Sequence, residues 1–306
     1  MNYEISYGKE EVTVYRTYGK PMSGLTKIPE SAFAGKENIL FAVDVGVEVF
    51  GDNFLPAYTE GDNRNVVATD TMKNFVLQNA IAYTNSTLEG FLYFLGQQFL
   101  ATYPQMSSLR ITGKEQPFMA ASVPQDGTFT DSNVLFSRLH DDSAIATFYI
   151  NRDGDNIKIV SHECGRVGFQ LIKITGSSFA SFDRDNYTTL PERIDRPLFI
   201  YLDVFWKYTD AGNAINPDLS QYIAPEQVRD LVQVVFHEFV SKSIQHLIHE
   251  MGTRLLNRFP QMAEVSFTAQ NRLWDSAFVS EDNEKIKSYC DPRPPYGMIK
   301  LTITRN

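Results

Sequence analysis

The sequence predicts an α+β protein made of two similar halves, each an antiparallel sheet with two helices laid on one of its faces. The first observation is that strand-like and helix-like apolar spacings follow one another in the same order in both halves. The second is a local match, because residues 100–106 (LATYPQM) resemble residues 256–262 (LNRFPQM). Each of these segments lies between a predicted second helix and the next strand. We place the halves at residues 1–150 and 151–306 and expect each to bury the apolar side of its sheet under its helices.

The first half begins with two strands in which Val, Thr and Tyr alternate with polar residues, and it ends with two more. These four strands are predicted at residues 11–18, 39–50, 109–112 and 144–150. Between the pairs, Thr69 and Asp70 form a helix-capping signal, and helical spacing follows as far as residue 100. A break near residues 84–87 divides this stretch into two helices.

The second half repeats the order of strand, strand, helix, helix, strand and strand. Its strands are predicted at residues 168–175, 198–208, 265–268 and 298–304. Its helices are predicted at residues 225–239, where Pro225 suits a first helical turn, and at residues 241–259. Half a barrel of this kind leaves open sheet edges, which pairing with other subunits would close. We therefore expect an oligomer.

The composition excludes several classes of function. The net charge of −9 disfavours a cationic nucleic-acid platform, although one arginine can still hold a small anion. No apolar run approaches the ~20 residues of a membrane helix. The first residues do not form a secretory signal, and the last three, Thr304-Arg305-Asn306, do not match a peroxisomal signal. Cys164 and Cys290 are predicted to be reduced thiols. A cytoplasmic protein without nucleic-acid or membrane partners is expected.

Six segments combine residue types that are more specific than a scaffold needs. They are Tyr7-Gly8-Lys9, residues 61–74, residues 178–196, Ser243-Ile244-Gln245-His246, residues 269–274 and Pro294-Pro295-Tyr296-Gly297. Together and in this order they resemble urate oxidase (uricase), over nearly the whole chain from Tyr7 to Thr304. The most specific pieces are VVATDTMKN at residues 66–74 and FDRDNYTTL at residues 182–190.

The resemblance implies two tandem tunnelling-fold units per chain, assembled as a homotetramer that encloses a tunnel. It also implies oxidation of urate by O2 and water to 5-hydroxyisourate and hydrogen peroxide, with no metal and no organic cofactor. In such an enzyme Phe179 would stack on the purine, Arg196 would hold one edge and Gln245 the opposite edge. The backbone N–H groups of Asp70 and Ile244 would complete the clamp. A planar arginine fork and an amide match the edges of urate in direction as well as charge.

The resemblance further implies a proton relay made by Lys9 and Thr69, with Thr69 also in contact with the substrate. Both residues would come from a neighbouring subunit, and Asn271 would hold oxygen or a water above the purine plane. One departure concerns the segment after Asn271. Many members carry a histidine there, whereas this chain has Arg272-Leu273-Trp274. The third member of the proposed relay is therefore absent at the matching positions.

Each of these residues also has a simpler explanation when it is taken alone. Lys9 could be a solvated surface charge, Thr69 and Asp70 a helix cap, and Phe179 a core residue. Arg196 could belong to a surface ion-pair cluster. His246 and His249 could share one helix face, but the pattern His-x-x-His-Glu matches neither zinc-protease arrangement, so no metal site is predicted.

Two other functions stay open at this point. The first is an enzyme of the same fold acting on pterins or guanine nucleotides, some of which use zinc. The second is a homologue that binds urate but has lost catalysis, for which the missing histidine is the support.

Overall fold

The computed structural model describes residues 2–138, 140–154, 156–274 and 276–305. Its described residues form two compact units. The first lies within Met1–Lys27, Phe33–Gly165 and Lys207–Ala224, and the second within Ile28–Ala32, Arg166–Trp206 and Pro225–Asn306. The division at residue 150 stays a prediction. Met1 and Asn306, the chain ends used for the expected location, lie outside the described residues.

The first unit contains a four-stranded antiparallel sheet in the order β1-β2-β3-β6. Its elements are β1 (Ser6–Thr17), β2 (Leu40–Phe50), a 3-10 turn (Asp52–Phe54), α1 (Leu55–Thr59), α2 (Thr69–Ala82), α3 (Leu88–Thr102), β3 (Ser108–Glu115), β4 (Phe118–Gln125), β5 (Thr128–Arg138) and β6 (Ser143–Asp153). Strands β4 and β5 pair only with each other in the described residues. Two strands follow, β7 (Asn156–Lys173) and β8 (Leu198–Tyr208), and then α4 (Gly212–Ile215) and a second 3-10 turn (Leu219–Gln221).

The second unit has the matching strand order β7-β8-β9-β12, with β7 and β8 contributing the parts that lie in this unit. Its remaining elements are α5 (Pro225–Glu238), α6 (Ile244–Arg258), β9 (Met262–Asn271), β10 (Ser276–Val279), β11 (Lys287–Tyr289) and β12 (Gly297–Thr304). Strands β10 and β11 form a separate antiparallel hairpin between β9 and β12. The predicted α+β class with antiparallel sheets is confirmed.

The predicted strands and helices all occur, with ends that differ by a few residues. The prediction missed the β4–β5 hairpin, the β10–β11 hairpin and the first twelve residues of β7. The two hairpins are largely exposed, so their apolar residues do not show the alternation of a half-buried strand.

The two halves repeat each other in detail. Aligning Pro104-Gln105-Met106 with Pro260-Gln261-Met262 places Gly96 of α3 opposite Gly252 of α6. Each glycine lets its helix lie close to its sheet. A Cβ added to Gly96 would lie 2.6 Å from Cδ1 of Ile150, and one added to Gly252 would lie 2.7 Å from Cδ1 of Ile303.

Helix caps and helix ends also repeat between the halves. The side chain of Thr87 accepts a hydrogen bond from the N–H of Gly90, and the side chain of Ser243 accepts one from the N–H of His246. At the other end, Arg152 donates to the carbonyl oxygens of Leu100 and Met106. Arg305 donates in the same way to Leu256 and Met262. The duplication inferred from one short match therefore extends to capping and to the arginine that closes each helix end.

Candidate active site

A cavity of about 140 Å³ lies in the second unit. Four loop residues, the first turn of α6 and the facing ends of β9 and β12 supply its walls. The lining residues are Phe179, Leu190, Arg196, Ile244, Gln245, Asn271, Leu273, Gly297 and Ile299. Five of the eight residues predicted for the site thus line one cavity, although they are far apart in the sequence. The volume suits a small molecule.

Phe179 is held in the cavity wall by backbone hydrogen bonds on both sides. Its N–H donates to the carbonyl oxygen of Arg193 at 2.8 Å, and the N–H of Arg193 donates back at 2.9 Å. The N–H of Ser178 donates to the carbonyl oxygen of Ser241, just ahead of α6. The ring of Phe179 is stacked on that of Phe182, with 4.9 Å between centroids and 12° between planes. The ring therefore presents a fixed flat apolar face, as a planar ligand requires.

Arg196 is half-buried beside this ring, with its guanidinium carbon 5.6 Å from the Phe179 centroid. Its Nε is buried without a hydrogen-bond partner among the described residues. The adjacent Asp195 does not neutralise it, because that carboxylate accepts hydrogen bonds from Thr175 and Gly176. Burial lowers the pKa of Arg196, and the charge of Arg193 lowers it further. A partly desolvated cation with a free donor is suited to a planar anion.

The first turn of α6 brings a second set of donors to the cavity. Ser243 is the N-cap, and its hydroxyl accepts the N–H of His246 at 3.1 Å. The first N–H groups of a helix have no acceptor within the helix, so those of Ile244 and Gln245 are available to a ligand. Ile244 is buried whereas Gln245 is exposed, which leaves the glutamine amide at the cavity surface.

The opposite wall is formed where β9 ends and β12 begins. Asn271 is the last residue of β9 and pairs with Gly297, the first residue of β12. Both line the cavity, together with Leu273 and Ile299. The amide of Asn271 is thus a polar group in a wall that is otherwise apolar, an arrangement that can hold a small polar molecule such as a water.

The other three predicted residues belong to the first unit. Lys9 lies on β1 immediately before a β-bulge, where Glu11 has φ 56°. Thr69 and Asp70 are the first two residues of α2, and Tyr7 accepts the N–H of Val67 at 3.1 Å just before them. The pKa of Asp70 is lowered, first by Lys73 and to a smaller extent by the charge of Lys9. The charge of Lys9 therefore acts on the first turn of α2.

The position immediately before Lys9, occupied by Gly8, has no room for a side chain. A Cβ at this position would lie 1.9 Å from the carbonyl oxygen of Val47 on the neighbouring strand. The β-bulge that follows Lys9 changes the direction of the strand, and bulges are common next to functional sites.

Four lining residues were not predicted from the sequence, namely Leu190, Leu273, Gly297 and Ile299. Leu190 ends the FDRDNYTTL run and Gly297 ends Pro294-Pro295-Tyr296-Gly297, so both lay in segments already singled out. Leu273 likewise lies in the segment 269–274, whereas Ile299 is an apolar residue without any local signal. The packing of Phe182 behind Phe179 was also missed.

Within the described parts of the chain, no group of three or more His, Cys, Asp or Glu side chains could hold a metal ion. His246 instead packs its ring against Phe239, with 4.7 Å between centroids. No helix in the described residues is long and apolar enough to span a membrane.

Comparison with known proteins agrees with the geometry. The family model for uricase matches residues 5–145 and 162–300. A uricase of Halalkalicoccus jeotgali is 44% identical, over 99% of this chain and 98% of that protein. The uric acid degradation bifunctional protein PucL of Bacillus subtilis is 43% identical over the whole chain, which spans 62% of that longer protein.

A solved structure gives the same result. The crystal structure of urate oxidase from Bacillus sp. TB-90 superimposes with a TM-score of 0.95 and 42% identity, covering 99% of this chain and all of that one. By sequence and by fold, this chain belongs to the uricase family.

Proposed function

We propose that this protein oxidises urate with O2 and water to 5-hydroxyisourate and hydrogen peroxide. The observation that carries the proposal is the cavity of the second unit. There an aromatic face, the guanidinium of Arg196 and the start of a helix surround space for one small molecule. The Nε of Arg196 is buried and has no hydrogen-bond partner in the part of the chain that the structure describes. The relatives named uricase and urate oxidase support the same substrate.

Urate is a flat anion whose edges carry carbonyl oxygens and N–H groups, and the cavity offers a partner for each of these features. Phe179 stacks on the ring plane, and the guanidinium of Arg196 donates to one carbonyl edge. Gln245 pairs with the opposite edge, because an amide can donate and accept at once. The N–H of Ile244, at the positive end of the α6 dipole, donates to the same anion.

The chemistry follows from the electron-rich character of the urate anion. Two electrons pass from urate to O2, which takes up two protons and becomes hydrogen peroxide. One of these protons comes from the urate anion and the other from a water, and the hydroxide left by that water forms a bond to C5 of the oxidised purine. Because urate itself is the reductant, we propose that neither a metal nor an organic cofactor is needed. The protein supplies orientation, a dry oxygen pocket at Asn271 and a proton path.

That proton path is assigned to Lys9 and Thr69, with the backbone N–H of Asp70 contacting urate. These residues belong to the first unit, whereas the cavity belongs to the second. We propose that a neighbouring subunit supplies them, in a homotetramer whose sheets close into a tunnel. The terminal strands of the sheet order support this assembly, because β1 and β12 each pair on one side only among the described residues. The cytoplasmic location also stays a prediction, which fractionation of expressing cells would test.

The first experiment is a urate assay on the purified protein after treatment with a chelator. We expect the ultraviolet absorbance of urate to fall in air-saturated buffer while hydrogen peroxide appears in equal amount. Urate binding without loss of absorbance would contradict the proposal and favour a non-catalytic homologue.

A further inference from the structure

We infer that Arg272 is a positioning residue for urate oxidation, because it fixes the strand end that presents Asn271 to the cavity. This inference rests on the proposed function. Arg272 does not line the cavity, so it acts through its neighbour and does not touch the substrate.

The guanidinium of Arg272 is held between two tyrosine rings. Its carbon lies 4.1 Å from the centroid of Tyr201 and 3.5 Å from that of Tyr296. One terminal nitrogen donates to Oε1 of Gln270 at 2.8 Å, while Nε is buried without a hydrogen-bond partner among the described residues. A cation placed over two aromatic faces is attracted to both rings.

These contacts join three neighbouring strands at the cavity wall. Tyr201 lies on β8, Gln270 on β9 and Tyr296 immediately before β12. The backbone N–H of Arg272 also donates to the carbonyl oxygen of Phe199 on β8, at 2.8 Å. The residues on both sides of Asn271 are therefore tied to neighbouring strands.

The contact between Arg272 and Tyr296 also joins the two ends of the loop that contains the β10–β11 hairpin. The chain leaves the sheet at Arg272 and returns at Tyr296, and these two residues contact each other. Asn271 and Gly297, one step further into the sheet, face each other and line the cavity. Loss of the contacts between Arg272 and the two tyrosine rings would let the ends of this loop separate and would move the Asn271 amide.

A planar side chain is needed for this role. Guanidinium can lie flat against one ring on each face, whereas the ammonium of lysine is a compact and strongly hydrated point charge. Arg272→Lys should therefore behave like a loss of the residue, although it conserves the charge. Tyr296→Phe conserves the ring face and should keep activity, whereas Tyr296→Leu should not.

The test is a double-mutant cycle between Arg272→Met and Asn271→Ala in the full-length enzyme. The readouts are kcat, KM for urate and for O2, and urate affinity measured without oxygen. We expect Arg272→Met to lower kcat by about 10- to 100-fold, as a small misplacement of a reacting group does, with urate affinity changed less than about threefold. In the Asn271→Ala background the same change should lower kcat less than about threefold, because the two residues act as one unit.

The inference would be overturned if Arg272→Met lowered kcat by the same factor in the wild type and in the Asn271→Ala variant. An unchanged kcat in Arg272→Met would also overturn it. If Arg272→Met does not fold, the Tyr296→Phe and Tyr296→Leu pair decides, since equal activity in those two variants would also overturn it. A wild-type enzyme that does not oxidise urate would instead refute the proposed function, which makes the two failures distinguishable. Arg254→Met is the control for loss of an arginine.

Discussion

The guanidinium of Arg196 lies over the ring of Phe179, 5.6 Å from its centroid, and different backbone hydrogen bonds hold the two residues. The N–H of Arg196 donates to the carbonyl oxygen of Ser177, while Phe179 exchanges two backbone hydrogen bonds with Arg193. A flat anion that enters this cavity therefore meets a charged fork and an apolar face whose relative positions are fixed before binding. Such preorganisation reduces the ordering cost of binding.

Replacing Arg196 should show that the fork matters in addition to the charge. We expect Arg196→Lys to lower kcat/KM for urate by about 10- to 100-fold, because a charge-assisted hydrogen bond in a desolvated site contributes roughly 1.5–3 kcal/mol. Steady-state kinetics with urate as the varied substrate measures this change. Arg193→Lys, at an exposed neighbour, is the control. Equal activity of Arg196→Lys and wild type would show that point charge alone suffices.

Lys9 and Arg196 offer a test of the subunit arrangement. We expect Lys9→Met and Arg196→Met each to lower kcat, the first by about 100-fold or more because proton transfer is impaired. Mixed tetramers made by co-expressing the two variants should regain a fraction of wild-type activity, because some interfaces combine an intact Lys9 with an intact Arg196. Activity of co-purified mixed tetramers provides the measurement. Absence of any gain over the separate variants would place both residues of a site on the same chain.

The two equivalent helix caps make a matched pair. Ser243→Ala and Thr87→Ala should each lower the free energy of unfolding by about 1 kcal/mol, because each removes the acceptor for one N–H at a helix start. Only Ser243→Ala should also raise KM for urate, since Ile244 and Gln245 follow it in the cavity wall. Thermal unfolding and urate kinetics on both variants separate these effects. A similar rise in KM in Thr87→Ala would argue against a local role of the α6 start.

His162 predicts a loss of stability in mild acid. Burial lowers its pKa below the ordinary value of 6.5, with a smaller contribution from the charge of Lys207. Its Nε2 accepts the N–H of Tyr208 at 2.9 Å, which requires a neutral ring. The unfolded chain therefore binds this proton first as the pH falls. The contribution of neutral His162 to the free energy of unfolding is present above pH 6.5 and is lost as the pH falls below 6.5.

The check for His162 is thermal unfolding of the wild type and of His162→Gln between pH 8 and about pH 5. Glutamine can still accept the Tyr208 N–H but does not titrate. We expect the wild type to lose stability more steeply than the variant below pH 6.5. Parallel curves would show that His162 does not contribute to the acid dependence.

The fold was predictable where burial alternates strictly. In β8 every second residue from Leu198 to Tyr208 is buried, and the prediction of residues 198–208 matches the strand. The β4–β5 hairpin is mostly exposed, so apolar alternation could not reveal it. Its turn did carry a signal, since Asp126 and Gly127 both have positive φ, as an Asp-Gly hairpin turn requires.

The five candidate residues that line the cavity could be predicted only through several motifs taken together. Gln245 is an exposed residue at a helix start, and nothing in its own surroundings distinguishes it from a solvated glutamine. Arg272 could not be predicted for a different reason. Its importance lies in two tyrosine rings from distant parts of the chain, which strand register brings together and which no local spacing could indicate.

The most direct test of the central claim measures turnover and metal content in the same preparation. Urate loss, O2 consumption and peroxide release are followed in chelator-treated protein, and elemental analysis of that sample gives the bound metal per chain. We predict that one O2 is consumed and one peroxide released per urate, at an undiminished rate and with far less than one metal per chain. Turnover that disappears on chelation and returns with an added metal would contradict cofactor-free oxidation at this cavity.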